Sequence, residues 1–241
     1  MARSVTIVGL GLIGGSIGLA LRRQTWFVRY IDPNVDLEHA RASGAADERI
    51  EDVEGDLVIV ATPVDVAMKL EPKAGVVTTT CSIMSPFKHY VAGHPFAGSE
   101  KSGLDAARAD LFEGRPWFVD RDHDAVRTII EATGARQVVV DAAEHDAAMA
   151  LTSHLPQVLS TALASLIEQK KIDPMFHGSG LQTFLRLASS SYDVWDSVLD
   201  ANARNIGEAE RELMRVINSM TSADFNRARR FMAKFGEPPE R

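Results

Sequence analysis

The chain holds a single cysteine in 241 residues, Cys81. That excludes an internal disulfide and fits a reducing compartment, so a cytoplasmic location is expected. It also lacks a long apolar run. The first such stretch, Val5 to Leu12, is short and interrupted by two glycines, too short for a membrane span and without a signal-peptide cleavage pattern. There is no surplus of positive charge: 26 Lys and Arg stand against 33 Asp and Glu, a net of −7. This argues against general binding to nucleic acid or to an anionic membrane, both of which need clustered bases. An anionic substrate would have to be held by one or two local arginines. No repeat, no low-complexity tract and no convincing cluster of metal ligands is evident, and no metal is expected. What is present is 45% apolar and 24% charged residues, enough core for one large domain or two small ones.

The chain opens with "SVTIVGLGLIGGSIGLAL". Val5 to Val8 reads as a buried parallel strand. Gly9, Gly11 and Gly14 follow in G-x-G-x-x-G spacing, with Leu12 and Ile13 inside the motif, and a helical pattern then runs through Ile17 and Leu21. A second strand, "WFVRYID", ends in Asp32, 18 residues after Gly14. In this context Gly9 allows the tight turn, Gly11 lets a pyrophosphate approach the backbone, and Gly14 lets the helix pack against the strand. Asp32 would accept hydrogen bonds from an adenine-ribose diol and repel a 2′-phosphate, so NAD is expected over NADP. The strand-first, helix-second setting with an acid closing the second strand is what raises the glycine spacing above a mere glycine-rich turn.

Further strands are predicted at Asp56 to Pro63, Gly75 to Thr80, His89 to Gly93, Pro116 to Asp120 and Arg136 to Asp141. Helical stretches are predicted at Leu104 to Phe112 and Asp124 to Thr133. The alternation predicts an α/β fold with a doubly wound, mainly parallel Rossmann-type sheet. Thr62-Pro63, Cys81-Ser82 and Gly93-His94 then follow predicted strands and should line one crevice beside a nicotinamide. After Asp141 the strand signal stops. Helices are expected from Ala142 to Lys171 with a kink or break at Pro156, over Gly180 to Ala188, and from Tyr192 toward Met220. The last carries an apolar stripe from Trp195 through Ile206 and Leu213 to Met220, longer than a domain of this size covers alone, which points to a two-fold dimer through these helices. The expected organisation is a nucleotide-binding domain over residues 1–142 and an all-helical substrate and dimerisation domain over 143–241. The tail "FGEPPER" is expected to fray, and no appended regulatory domain is expected.

Among seven histidines, His39, His89, His123 and His177 fall on surfaces, strand flanks or loops. His94 differs. It sits between Gly93 and Pro95 at a predicted strand end, where an imidazole titrating near neutrality suits a general base. Ser82, at the neighbouring strand end, is placed to hydrogen-bond the same hydroxyl.

The strings "VGLGLIGGS", "GHPFAGSEKSG", "ADLFEGRPWFV", "EHDAAMALTSHLPQ" and "FLRLASSSYDVW", in this order along nearly the whole chain, resemble the prephenate dehydrogenase family, which includes arogenate dehydrogenases. The resemblance implies NAD-dependent oxidation of the ring C4 hydroxyl of prephenate with loss of the C1 carboxylate, giving 4-hydroxyphenylpyruvate for tyrosine biosynthesis. It implies His94 as general base, Ser82 orienting hydroxyl and nicotinamide, and Arg186 clamping a substrate carboxylate. Glu100 would be a pocket gate or a partner for Arg186, or a solvated loop acid. His154 would contact substrate or be a hydrogen-bonded core histidine, and Trp195 is expected to pack.

The chain departs from the family around the serine, where Asp-x-Gly-Ser-x-Lys is usual and "TTCSIM" stands from Thr79 to Met84. Gln157 replaces a second histidine and Thr183 an acid. With neutral Thr183 and Gln182, a buried ammonium finds no carboxylate there, which tilts the expectation from arogenate to prephenate. Two rivals remain. A β-hydroxyacid dehydrogenase would place a lysine inside the long helix, but Lys170 and Lys171 come at its end. A catalytically impaired NAD-binding regulator is suggested by "TTCSIM" alone.

Overall fold

The computed structural model describes residues 3–98 and 101–235. The first half alternates strand and helix: β1 (Ser4–Val8), α1 (Leu12–Arg23), β2 (Phe27–Ile31), α2 (Leu37–Ala42), β3 (Glu48–Arg49), β4 (Glu54–Val60), α3 (Val64–Ala67) and β5 (Lys73–Thr79). These strands form one parallel sheet in the order β3-β2-β1-β4-β5. The chain reverses its direction of winding between β1 and β4, and the carboxyl ends of those two strands mark the crevice where such sheets take ligands.

The apolar residues of the strands alternate between two cores. Val5, Ile7, Leu57 and Ile59 face one with Ile17, Leu21, Phe112 and Trp117. Val8, Val58 and Val60 face the other with Val64, Cys81, Ile83, Met84 and Phe87. This is the period-two pattern of strands covered on both sides. Each large side chain so buried contributes on the order of 1.5–3 kcal/mol relative to exposure.

A second, three-stranded sheet follows: β6 (Gly93–Pro95) runs antiparallel to β7 (Pro116–Val119), which is parallel to β8 (Arg136–Val139). Between β7 and β8 lies α4 (Asp124–Ala132). His94 therefore sits inside a short antiparallel strand opposite Phe118, not just beyond the end of a parallel one. The expected strand at His89 to Gly93 reduces to a single bridge between Val91 and Thr78, because the chain must turn sharply to bring Gly93 against β5. The expected helix at Leu104 to Phe112 is a 3-10 turn at Leu104–Ala106 followed by turns. Tertiary anchors override its helical composition: the Ser16 hydroxyl accepts from the Arg108 amide at 3.0 Å, and Leu111 and Phe112 are pulled into the core.

From Ala142 on, the described residues form helices and turns only. Asp141 caps α5 (Ala142–Met149) by accepting from the amides of Ala143 and Glu144. A π-turn, Ala150–His154, joins α5 without interruption to α6 (Leu155–Gln169). Pro156 does not break the helix. The turn before it widens instead, relieving the contact that the proline ring would make with the preceding turn. Then come α7 (Ser179–Leu185), a 3-10 turn at Arg186–Ser189, α8 (Tyr192–Ala201), α9 (Ala203–Asn218) and α10 (Ser222–Phe235). The single long helix expected from Tyr192 is thus divided at Asn202, whose side chain leaves the helix to make buried hydrogen bonds. The apolar stripe is covered at Ile206 and Ala209 and open at Val216, Ile217 and Met220. The final residues of "FGEPPER", 236–241, lie outside the described residues. No helix among the described residues is long and apolar enough to cross a membrane.

Candidate active site

The glycine loop joins β1 to α1 at the switch point. Gly9 has φ +91°, and a Cβ there would stand 2.5 Å from the carbonyl oxygen of Ala61. At Gly14 a Cβ would stand 1.9 Å from the Gly9 carbonyl oxygen. Both positions are closed to any side chain, so the loop and helix pack as tightly as the sequence implied. Gly11 is the opposite case: a Cβ there meets nothing within 4 Å. That open space lies over the N-terminus of α1, which has no side-chain cap and no acid in its first turn. The space and the uncapped amides of Leu12 and Ile13 fit a dinucleotide pyrophosphate. Asp32 accepts from the Leu10 amide through Oδ2 and from the Asn34 amide through Oδ1, both at 2.8 Å. Its carboxylate is thereby fixed at the end of β2, with lone pairs left for a ribose diol. Asp32, Leu37 and Arg49 line a cavity of about 560 Å³ there.

Contacts link this loop to the next strand ends. The built Cβ of Gly9 lies 3.1 Å from Thr62, and the Cys81 thiol stands 3.8 Å from the Thr62 carbonyl. Thr79, standing where the family has an acid, is buried and accepts from the Gly93 amide at 3.1 Å. Burial pushes the Cys81 thiol up to about 12, so it packs as an apolar group. Ser82, partly buried, follows immediately.

His94 reaches the helical half at α5. Its Nδ1 lies 3.0 Å from Nε2 of His145, and His145 Nδ1 lies 2.9 Å from Oδ1 of Asp146. The same carboxylate accepts from the amides of Met84 and Ser85, each at 2.8 Å. Phe96 and Phe118 pack against the His94 ring. Burial, and then the neighbouring His145 and His154 imidazoles, push His94 down to about 3. The expectation of titration near neutrality is corrected: desolvation keeps this ring neutral. Burial works against ionisation of Asp146, yet hydrogen bonds from His145, Ser85 and the Met84 amide outweigh it and hold the carboxyl below its ordinary value.

His154 lies beyond this line, buried, with Nδ1 3.1 Å from the Asn202 amide nitrogen and its ring edge-on to Trp195 at 6.0 Å. Asn202 also donates to the Asp146 backbone carbonyl at 2.8 Å. His154 is lowered to about 4, chiefly by burial. Its Nε2 is buried without a partner, as is Oε1 of Gln157. Gln157 Nε2 donates to the Leu187 carbonyl at 2.9 Å, and since that carbonyl can only accept, the amide orientation is fixed. Arg186 begins the 3-10 turn that this bond ties to α6, with its side chain on an exposed face rather than in the buried cluster. Glu100 lies outside the described residues. The structure therefore unites His94 and His154 from the sequence-derived set, and adds His145, Asp146 and Asn202. The missed pair did carry a signal: with Met149 and Ala150, His145 and Asp146 share one buried face of α5, a polar pair where periodicity requires apolar residues.

A parallel Rossmann sheet with an uncapped glycine turn, joined to a helical unit whose His145 meets His94, defines a two-domain dinucleotide-binding protein of the dehydrogenase type. Family models agree in detail: residues 17–140 match the prephenate dehydrogenase nucleotide-binding domain, and residues 141–234 match the prephenate dehydrogenase dimerization domain. The chain belongs to the prephenate dehydrogenase family. It is 35% identical over 243 residues to a probable prephenate dehydrogenase, NovF, of Streptomyces niveus, covering 87% of this chain and 66% of that protein. It is 27% identical over 230 residues to the prephenate dehydrogenase of Lactococcus lactis, covering 83% of this chain and 65% of that one. The chain thus spans just under two thirds of the length of these two relatives. A cyclohexadienyl dehydrogenase of Zymomonas mobilis is 29% identical, covering 83% of this chain and 81% of that protein. Among solved structures, prephenate dehydrogenase from Aquifex aeolicus, in complex with hydroxyphenyl propionate and NAD+, shares the fold at a TM-score of 0.81 and 24% identity, covering 98% of this chain and 95% of that one. Synechocystis arogenate dehydrogenase does so at 0.77 and 21%, covering 97% and 96%.

Proposed function

We propose that this chain oxidises and decarboxylates prephenate to 4-hydroxyphenylpyruvate, with NAD as cofactor. The observation that carries the reading is His94, a neutral imidazole that follows Gly93 at the carboxyl end of β5 and is backed by His145 and Asp146. Bound NAD would supply the hydride acceptor. Gly9, Gly11, Leu12, Ile13 and Gly14 would hold its pyrophosphate, Asp32 its adenine ribose, and Thr62, Pro63 and Ser82 would border the nicotinamide.

His94 takes the proton of the substrate C4 hydroxyl as the C4–H bond is lost as hydride. The bond from C1 to its carboxylate then breaks, carbon dioxide leaves, and that electron pair completes the aromatic ring. A base lowered to about 3 in the free protein is weak, and a substrate with two carboxylates restores its strength. Their negative potential favours the imidazolium as the proton arrives. Arg186 clamps one carboxylate, and His154 Nε2, a buried N–H without a partner, donates to another substrate oxygen. The two units are residues 1–142 and 143–241, and the open half of the α9 stripe, continued by exposed Phe225, Phe231 and Met232 on α10, is covered by a second copy in a homodimer.

A second reading, arogenate as substrate, is favoured by Gln157. Its unpartnered Oε1 is an acceptor that an ammonium would satisfy and a keto oxygen would not. The test is NADH absorbance on adding prephenate or arogenate to protein and NAD. Turnover of prephenate at a higher kcat/KM supports the first reading, and a large preference for arogenate replaces it with the second. Silence with both, while NAD binds, leaves a nucleotide-binding regulator.

A further inference from the structure

The line of groups behind His94 has a polarity that can be worked out from one end. Asp146 accepts two backbone amides, and an ionised carboxylate has no proton to give. The 2.9 Å contact to His145 must then be donated by His145 Nδ1–H. With a single proton on its ring, His145 is left with a lone pair on Nε2. That lone pair faces His94 Nδ1 at 3.0 Å, and a hydrogen bond forms there only if His94 Nδ1 carries the proton. His94 Nε2 is then the nitrogen with the free lone pair.

We propose that His145 and Asp146 are positioning residues: they hold the His94 proton on Nδ1, so that Nε2 is the basic nitrogen offered to the substrate hydroxyl. This rests on the reading of His94 as the base. Neither residue reaches the substrate. Asp146 does a second task with the same carboxylate, pinning the Met84 and Ser85 amides and with them the loop that follows Ser82. Around Ser82 the family's acid, glycine and lysine are replaced by Thr79, Cys81 and Met84, and a carboxylate from α5 supplies an anchor from outside this segment. The surroundings of the pair are accounted for. His94 comes from β6, His154 from the π-turn and Asn202 from the start of α9, and the ring contacts of His94 on the strand side are Phe96 and Phe118. Removal of the proton from the substrate passes no proton to Asp146. It creates an imidazolium at His94 whose Nδ1–H stays bonded to His145.

His145 is the residue to vary, because Asp146 also holds the loop. In His145→Gln the amide oxygen can accept from His94 and the amide NH2 can donate to Asp146. His145→Phe keeps a flat ring and removes both functions. The expected result for His145→Phe is a fall in kcat of at least about tenfold with KM within about twofold, since a general base contributes roughly 10²–10⁴ and a wrong tautomer forfeits much of it. His145→Gln should recover to within a few-fold of the wild type. Equal losses in the two variants at equal thermal stability would reduce the pair to a structural role and overturn the proposal. The 15N spectrum of the full chain labelled at its histidines is the independent readout, with the His94 signal assigned by its disappearance in His94→Asn. In the wild type Nδ1 should carry the proton, and in His145→Phe this preference should be lost. A wild-type proton on Nε2 refutes the proposal whether or not the protein turns over prephenate, so the tautomer question is settled apart from the identity of the substrate.

Discussion

Two histidines held neutral make the fold sensitive to acid well above the range where carboxylates titrate. His94 is pushed to about 3 and His154 to about 4, both first by burial, from an ordinary value near 6.5. Below that value the unfolded chain binds two protons that the folded chain refuses. The sign follows: stability is fully present above pH 6.5, falls as pH drops through 6.5, and stops falling only near pH 3 to 4. At pH 5 each unfolded imidazole is almost wholly protonated and each folded one is not, so each withdraws about 2 kcal/mol relative to pH 7.5, about 4 kcal/mol together. The figure at pH 5 depends on the unfolded value far more than on how deeply each histidine is depressed. Asp146 acts with the opposite sign, but only around and below its ordinary value of 3.8, outside this window. Urea unfolding at pH 7.5 and 5.0, at one ionic strength and one protein concentration, measures the loss. The wild type should lose about 4 kcal/mol, and His94→Asn, with one such group removed, about 2. Comparing the two proteins cancels every other titrating group. An equal loss in both, within about 0.5 kcal/mol, would refute the view that His94 is buried neutral.

Other substitutions probe the site more directly. His94→Asn should lower kcat by about 10²–10⁴ with little change in KM, read from NADH formation. Arg186→Ala should raise KM for a dicarboxylate substrate about tenfold to a hundredfold, the loss of a charge-assisted clamp worth about 1.5–3 kcal/mol. An unchanged KM would remove Arg186 from the binding site. Gly14→Ala places a methyl 1.9 Å from the Gly9 carbonyl oxygen and should cost about 1–3 kcal/mol in urea unfolding while abolishing NAD binding by calorimetry.

The parts of this molecule legible in its sequence were those whose cause is local. Gly14 is required by its contact with Gly9 inside one β-α turn, Gly9 takes a positive φ there, and Asp32 closes the next strand, so a single stretch of 24 residues carries the glycine loop and its acid. What depended on distant partners was hidden. The helical composition of Leu104 to Phe112 yields to a hydrogen bond from the Arg108 amide to the Ser16 hydroxyl, 92 residues away. The division of the last long helix at Asn202 follows from buried bonds to Asp146 and His154, 56 and 48 positions back. His145 and Asp146 stand where the periodicity of α5 calls for apolar residues, but nothing near them in sequence says that His94 is their neighbour.

The widened turn at Ala150–His154 has a consequence for how the helical half could have arisen. At 3.6 residues per turn, His145 and His154, nine positions apart, would project about 180° from one another on a regular helix. A turn that absorbs one extra residue cuts the effective separation to eight and the angle to about 80°, which lets both rings serve one pocket. In phase terms the turn is an insertion that the helix has swallowed. Excising the exposed Leu151 should therefore leave α6 in step with α5 and preserve the fold, as circular dichroism can check. The same excision from the middle of α6 would rotate every later side chain by about 100° away from its partner.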